Sequence, residues 1–208
     1  MRADANTAAR GIGTALAAAL LLAGLGPTAS APDAPPARPD APEAPKRSPA
    51  PQAPGSDAEP DPVRIAIGAI DLTARLVPIG LDDDGSLDEP PLYRTDAAGW
   101  YRLGSAPGER GPAVIVGHRD TRTGPSVFMR LDELTRGDTV RIGRADDSSA
   151  RFRVVGVERV DKDGFPAARV YGPVDHAALR LVTCAGPFDD GNGAYGQNLI
   201  VYGRLMPG

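Results

Sequence analysis

Residues 151–160 read RFRVVGVERV. Apolar Phe152, Val154, Val157 and Val160 recur between arginines and a glutamate, and the valines are stiff at χ1, which suits a half-buried pleated strand better than a helix. Working outward, short β-branched runs bounded by Gly, Pro or Asp return at 63–67 (VRIAI), 75–79 (RLVPI), 113–117 (AVIVG), 139–142 (TVRI), 179–183 (LRLVT) and 199–202 (LIVY). These runs predict an all-β domain. Their number and spacing favour a closed or nearly closed barrel, in which strand edges are mostly paired. Helix is expected only as a short turn within 126–134 (SVFMRLDEL), after Thr123-Gly124-Pro125, and as one turn near 175–178. No repeat of solenoid or propeller period is present.

The domain so outlined, residues 62–208, is of ordinary single-domain size. Before it, residues 32–61 are rich in Pro and Ala, and 12 of the 22 prolines fall between Pro27 and Pro62. Without apolar periodicity such a stretch buries no core, so a disordered, partly polyproline II linker is expected, reaching about 3.1 Å per residue. Residues 1–31 carry Arg2 and Arg10 ahead of an apolar run, ALAAALLLAG at 15–24. This reads as an export segment, predicted to be an apolar helix. Two outcomes are open: cleavage after Ala29-Ser30-Ala31, or retention as a membrane anchor. In both, the arginines place the N-terminus inside and the remainder outside, anchored at the extracytoplasmic face of the membrane or, after cleavage, secreted.

With 23 Lys and Arg against 27 Asp and Glu, the chain has a net charge of -4, which argues against a nucleic-acid partner. One cysteine excludes an internal disulfide, and with two histidines leaves too few soft ligands for structural zinc. Acidic runs at 82–84 and 189–190 lack the spaced oxygens of a calcium loop, so no metal or cofactor is expected.

Cys184 ends the run LRLVTC, directly before the loop-like AGPFDDGNGAYGQ. An unpaired thiol in an exported chain reads either as a nucleophile or as an inert core cysteine. His118 closes another run, PAVIVGH, and is the histidine placed to relay a proton for a thiol. His176, in GPVDH, reads as a solvated turn residue. Asp120 either orients His118 or caps a turn.

Three segments resemble the sortases, cysteine transpeptidases of Gram-positive cell surfaces, and among them the actinobacterial class E/F type, most of all class F. LRLVTC at 179–184 is similar to the family's TLxTC strand, VIVGHRD at 114–120 to its GH-x-D segment, and GWYRLGSAPGERGPAVIVGH at 99–118 extends the match. The resemblance implies an eight-stranded sortase β-barrel with one or two short helices. It also implies that Cys184 attacks an LPxTG-like sorting signal on a surface protein, with His118 as acid or base. The thioacyl-enzyme then passes to the amine of a peptidoglycan precursor or pilin. Family members place an arginine about a dozen residues after the cysteine, where this chain has Gly196 and Gln197. Gln197 is the expected neutral substitute, with Arg119 and Arg130 as alternatives, and Thr183 is expected to support the strand end or the substrate backbone. The substitution also motivates a rival reading, a sortase-fold module of low or no activity that binds sorting-signal peptides or wall precursors. An L,D-transpeptidase would require a histidine beside its cysteine, which this sequence lacks.

Overall fold

The computed structural model describes residues 59–191 and 193–208. The expectations for residues 1–31, and for the linker up to residue 58, lie outside the described residues. Eight strands form a closed barrel in the order β1-β2-β3-β4-β9-β10-β8-β7. They are β1 Pro62–Ile67, β2 Leu72–Ile79, β3 Ala97–Tyr101, β4 Gly111–Val116, β7 Thr139–Arg144, β8 Ser149–Asp161, β9 Ala177–Asp189 and β10 Ala194–Leu205. The short pair β5 Asp120–Thr121 and β6 Gly124–Pro125 stands apart as its own two-stranded sheet. Neighbours pair antiparallel except β2 with β3 and β4 with β9. The ring needs no strand from elsewhere, so residues 59–208 fold as a unit around their own core.

Two apolar clusters follow from strand alternation. Inside the barrel, Ile65, Ile115, Ile142, Phe152, Leu181 and Leu199 pack with Phe128 and Leu131 of the β6–β7 connection. On the outer face, Val114, Val116, Val182 and Ile200 are covered by Leu87 and by Val170 and Tyr171 of α1, Ala167–Tyr171. β4 and most of β9 are therefore buried on both faces, which is why their sequences run apolar without alternation.

Three elements differ from expectation. β3 (AAGWY) lacks β-branched residues and carries no strand signature. Tertiary packing demands its small residues, since a Cβ at Gly99 would lie 2.7 Å from Ile79 Cδ1. The turn of helix expected near 175–178 is absent: β9 begins at Ala177, and the helix lies instead at Ala167–Tyr171, directly after Pro166. Proline presets the φ of a first turn, and two alanines extend it. In 126–134 the helical turn contracts to a 3-10 turn at Leu131–Glu133.

Arg180, in the position of the motif's first threonine, is buried on the outer face. Its Nε donates to Arg169 O at 3.1 Å and its guanidinium lies 4.9 Å from the Tyr202 ring centroid, tying α1 to the sheet. Beside it, the buried Tyr171 hydroxyl has no hydrogen-bond partner among the described residues. Such an orphan is costly, so Tyr171→Phe is expected to raise stability by about 1 kcal/mol in denaturant titration. Burial also raises the Tyr171 pKa above the ordinary phenol value. The unfolded chain ionises first, and wild-type stability falls above about pH 10. The variant should lose less over that range.

Candidate active site

The outer-face rows of β4, β9 and β10 build the site. Val116 is registered with Val182, and Gly117 N donates to Val182 O at 3.1 Å, so the chain leaves β4 at His118 alongside Thr183 and Cys184. Across the other ladder Cys184 faces Asn198 directly. Thr183 lies beside Cys184 in the same cleft wall. Buried, it donates from Oγ1 to Gly117 O at 2.7 Å and fixes the peptide that precedes His118. Gly117 itself admits no side chain, because a Cβ would lie 2.7 Å from Phe128 Cδ2 and 2.8 Å from Val127 Cγ1.

His118, Cys184, Thr183 and Asn198 line one cleft with Val116, Gly117, Val182 and the Glu89-Pro90 dipeptide of the β2–β3 connection. The space is about 30 Å³, enough for a water molecule or two. His118 Nε2 donates to Pro90 O at 2.6 Å, which fixes the tautomer with the proton on that nitrogen, and Nδ1 lies 4.0 Å from Glu89 Oε2. The imidazole is thus engaged by the connection above it. No hydrogen bond joins it to the thiol among the described residues.

Sequence reasoning and structure part company at several residues. Cys184 does not end its strand: β9 continues to Asp189, β10 begins at Ala194, and only residues 190–193 remain outside the hairpin. Gly186, at φ +80°, and a bulge between Tyr195 and Gln197 let the strands pass Gly-Pro without stopping. Gln197 is not brought to the cleft; its Nε2 donates to Asp161 Oδ1 at 2.9 Å on β8, and the residue facing Cys184 is Asn198. Strand alternation sends the two to opposite faces. Asp120 accepts a hydrogen bond from the Tyr195 hydroxyl and stays away from His118's ring nitrogens. Arg130 is held by Glu133 and Ile70 O, while Arg119 pairs with Asp132 at 3.5 Å. His176 bonds Asp175 at a turn.

Asn198, Glu89, Pro90 and Lys162 escaped the sequence reading. Asn198 carried a signal, a polar residue opening the apolar run LIVY. The others belong to connections, where no periodicity marks position.

Burial raises the Cys184 pKa above the ordinary thiol value; Lys162 and Arg119 oppose that shift, Glu89 and Asp120 reinforce it. The thiol is therefore protonated at neutral pH. Iodoacetamide alkylation is expected to be slow at pH 7, with a midpoint above that of a free cysteine peptide. Glu89→Gln should move the midpoint down, by removing the negative charge. A midpoint at or below the free value would contradict this account of the site.

The sequence matches the sortase domain over residues 65–206. No curated protein matches the chain. Solved structures of similar fold include sortase C of Streptococcus pneumoniae, with TM-score 0.54 and 23% identity over 70% of this chain and 66% of that one. Sortase C-1 of Actinomyces oris has TM-score 0.55 and 21% identity over 71% of this chain and 76% of the other. Sortase C2 of pilus island 1 in group B Streptococcus has TM-score 0.53 and 20% identity, covering 70% and 73%. This chain thus spans just under two thirds of the pneumococcal protein. At such identities the likeness is one of fold.

Proposed function

The chain belongs to the sortase family, and from that membership we propose that it is a cell-surface cysteine transpeptidase of class E/F type, cutting an LPxTG-like sorting signal at Cys184. The observation that carries the reading is the convergence of Cys184 and His118 on one cleft, with Thr183 fixing the peptide that precedes His118. The Cys184 thiol gives its proton to the unprotonated Nδ1 of His118, its sulfur attacks the Thr-Gly carbonyl, a C–S bond forms, the C–N bond breaks, and the His118 imidazolium gives the leaving amine a proton from Nε2. An acceptor amine then attacks the thioester and frees the thiol. The sortase C structure of S. pneumoniae bears on pilin substrate specificity, which favours a pilin amine over a peptidoglycan precursor. Substrate entry requires residues 89–90 to give way, because the Pro90 carbonyl holds the proton His118 must deliver. Export through residues 1–31, with anchoring at the outer membrane face, completes the proposal.

The family arginine's position, Gly196, has open space around it. Gln197 pairs with Asp161 across the β8–β10 ladder, so Lys162, the next residue, comes beside that space. Lys162 is then the cation that steadies the thiolate and the developing oxyanion, in place of Gln197. Lys162→Met should lower kcat/KM roughly five- to tenfold, the size of one partly screened charge interaction, and raise the alkylation midpoint of Cys184. Unchanged values would remove Lys162 from the mechanism.

Intact-mass spectrometry of residues 59–208 with an LPxTG-type peptide tests the reaction. The expected result is an adduct equal to the peptide's N-terminal portion, absent from Cys184→Ala. The small cleft, the engaged His118 and Gly196 favour one second reading, a peptide-binding module of low activity. Saturable peptide binding without adduct would establish it.

A further inference from the structure

The barrel wall formed by β2, β1, β7 and β8 carries a concentration of positive charge. Arg64, Arg75, Arg141, Arg151, Arg153 and Arg204 are all exposed. Among the described residues none of the six has a carboxylate or side-chain hydrogen-bond partner, whereas Arg119, Arg130, Arg144, Arg159 and Arg169 are each ion-paired. Strand alternation puts the six on the outer surface of five consecutive strands of the ring, with their neighbours Ile65, Ala74, Val140, Ile142 and Phe152 turned inward. It also sets them directly opposite one another: Arg64 faces Arg75, Arg141 faces Arg151, and Arg153 faces Arg204. Like charges directly across a ladder destabilise a sheet. Three such pairs in a chain of net charge -4 make a surface suited to an external anion.

A groove of about 460 Å³ notches this face, with Arg64, Arg141 and Arg144 along it, Asp147 and Ser148 at its side, and Val63 45% exposed among them. Arg144 is already engaged by Glu59 and Pro107 O, which leaves Arg64 and Arg141 free. Guanidinium groups bind phosphate oxygens bidentately. An apolar side chain among arginines matches the boundary between headgroups and acyl chains.

We propose that the arginine face on β2, β1, β7 and β8, with Arg204 of β10 at its margin, docks on an anionic phospholipid surface and that its groove takes phosphate headgroups. β1 is the first strand after the linker that follows the apolar run at 15–24, so this wall carries the end of the domain nearest that segment in the chain. In the eight-strand ring β9 lies four places from β1 in either direction, and β4 four from β7. Docking centred on β1 and β7 therefore leaves β4 and β9, which lead to His118 and carry Cys184, on the side away from the bilayer.

The test is co-sedimentation of residues 59–208 with sucrose-loaded vesicles of equimolar phosphatidylglycerol and phosphatidylcholine, beside pure phosphatidylcholine. Binding is expected only to the anionic vesicles, and should disappear at high salt. The triple variant Arg64→Glu, Arg141→Glu, Arg153→Glu reverses one member of each pair, turning each repulsion into an attraction, so its thermal midpoint should hold or rise. Its partition should drop at least about 100-fold, from roughly 1 kcal/mol per arginine removed. Arg94→Glu, Arg102→Glu, Arg122→Glu makes the same charge change elsewhere and should bind nearly as wild type. Equal binding by the first triple variant, or by pure phosphatidylcholine vesicles, overturns the proposal. So does soluble polyphosphate binding the face more tightly than the anionic vesicles, which would assign it to a dissolved polyanion.

Discussion

Cys184→Ala is expected to reduce peptide transfer to the uncatalysed background, and His118→Ala to reduce it by about 10²- to 10⁴-fold, the range for a positioned acid or base. Both variants should stay folded. Cys184 is only half-buried, and alanine leaves the backbone ladder with Asn198 intact. Among the described residues the His118 ring hydrogen-bonds to Pro90 O of the β2–β3 connection, outside the barrel interior, so its loss frees residues 89–90 without opening that core. The two variants should differ in a second readout. His118→Ala retains the thiol and should form the thioacyl adduct slowly, whereas Cys184→Ala cannot form it. Full transfer by His118→Ala, measured as product per minute by chromatography, would remove the imidazole from the mechanism.

Thr183→Val should be the next most damaging change. Valine keeps the shape but removes the only donor that Thr183 offers to Gly117 O, leaving a buried carbonyl without that partner. A loss of about 1–3 kcal/mol of stability is expected. The catalytic effect is larger than the stability loss suggests. Gly117 precedes His118, so a shift there of about 1 Å displaces the imidazole relative to the thiol, enough for roughly a 10²-fold drop in kcat. Thr183→Ser retains the donor and should recover most of the rate, while Cys184 alkylation stays near wild type in both. Equal loss in the serine variant would mean that the methyl group's packing, and not the hydrogen bond, sets the position.

Most barrel strands were legible because alternation of buried and exposed side chains leaves a period of two, as in 139–142 and 151–160, or a wholly apolar run where both faces are covered, as in 113–117. β3 was not legible, since Ala97, Ala98 and Gly99 carry no strand signature, and Gly99 is there for want of room beside Ile79. Of the site, the motif residues Cys184, His118 and Thr183 could be named in advance because each ends or nearly ends an apolar run, and a scaffold displays chemistry at such places. Gln197 and Asp120 could not be placed, because proximity in sequence says nothing about which face a side chain takes after a bulge. Asn198 stands opposite Cys184 in the cleft, and Gln197 turns to Asp161, by a register difference of one residue.

The amino-acid sequence by itself determined the strand-rich class and the pairing of one cysteine with one histidine as the chemistry to seek. These rest on local composition and periodicity. The tertiary structure alone decided the strand order, the closing of residues 89–90 over His118, the pairing of Gln197 with Asp161, and the gathering of six arginines on the outer wall. Each of those depends on which strand lies beside which, a choice made by non-local pairing and packing that no window of sequence contains.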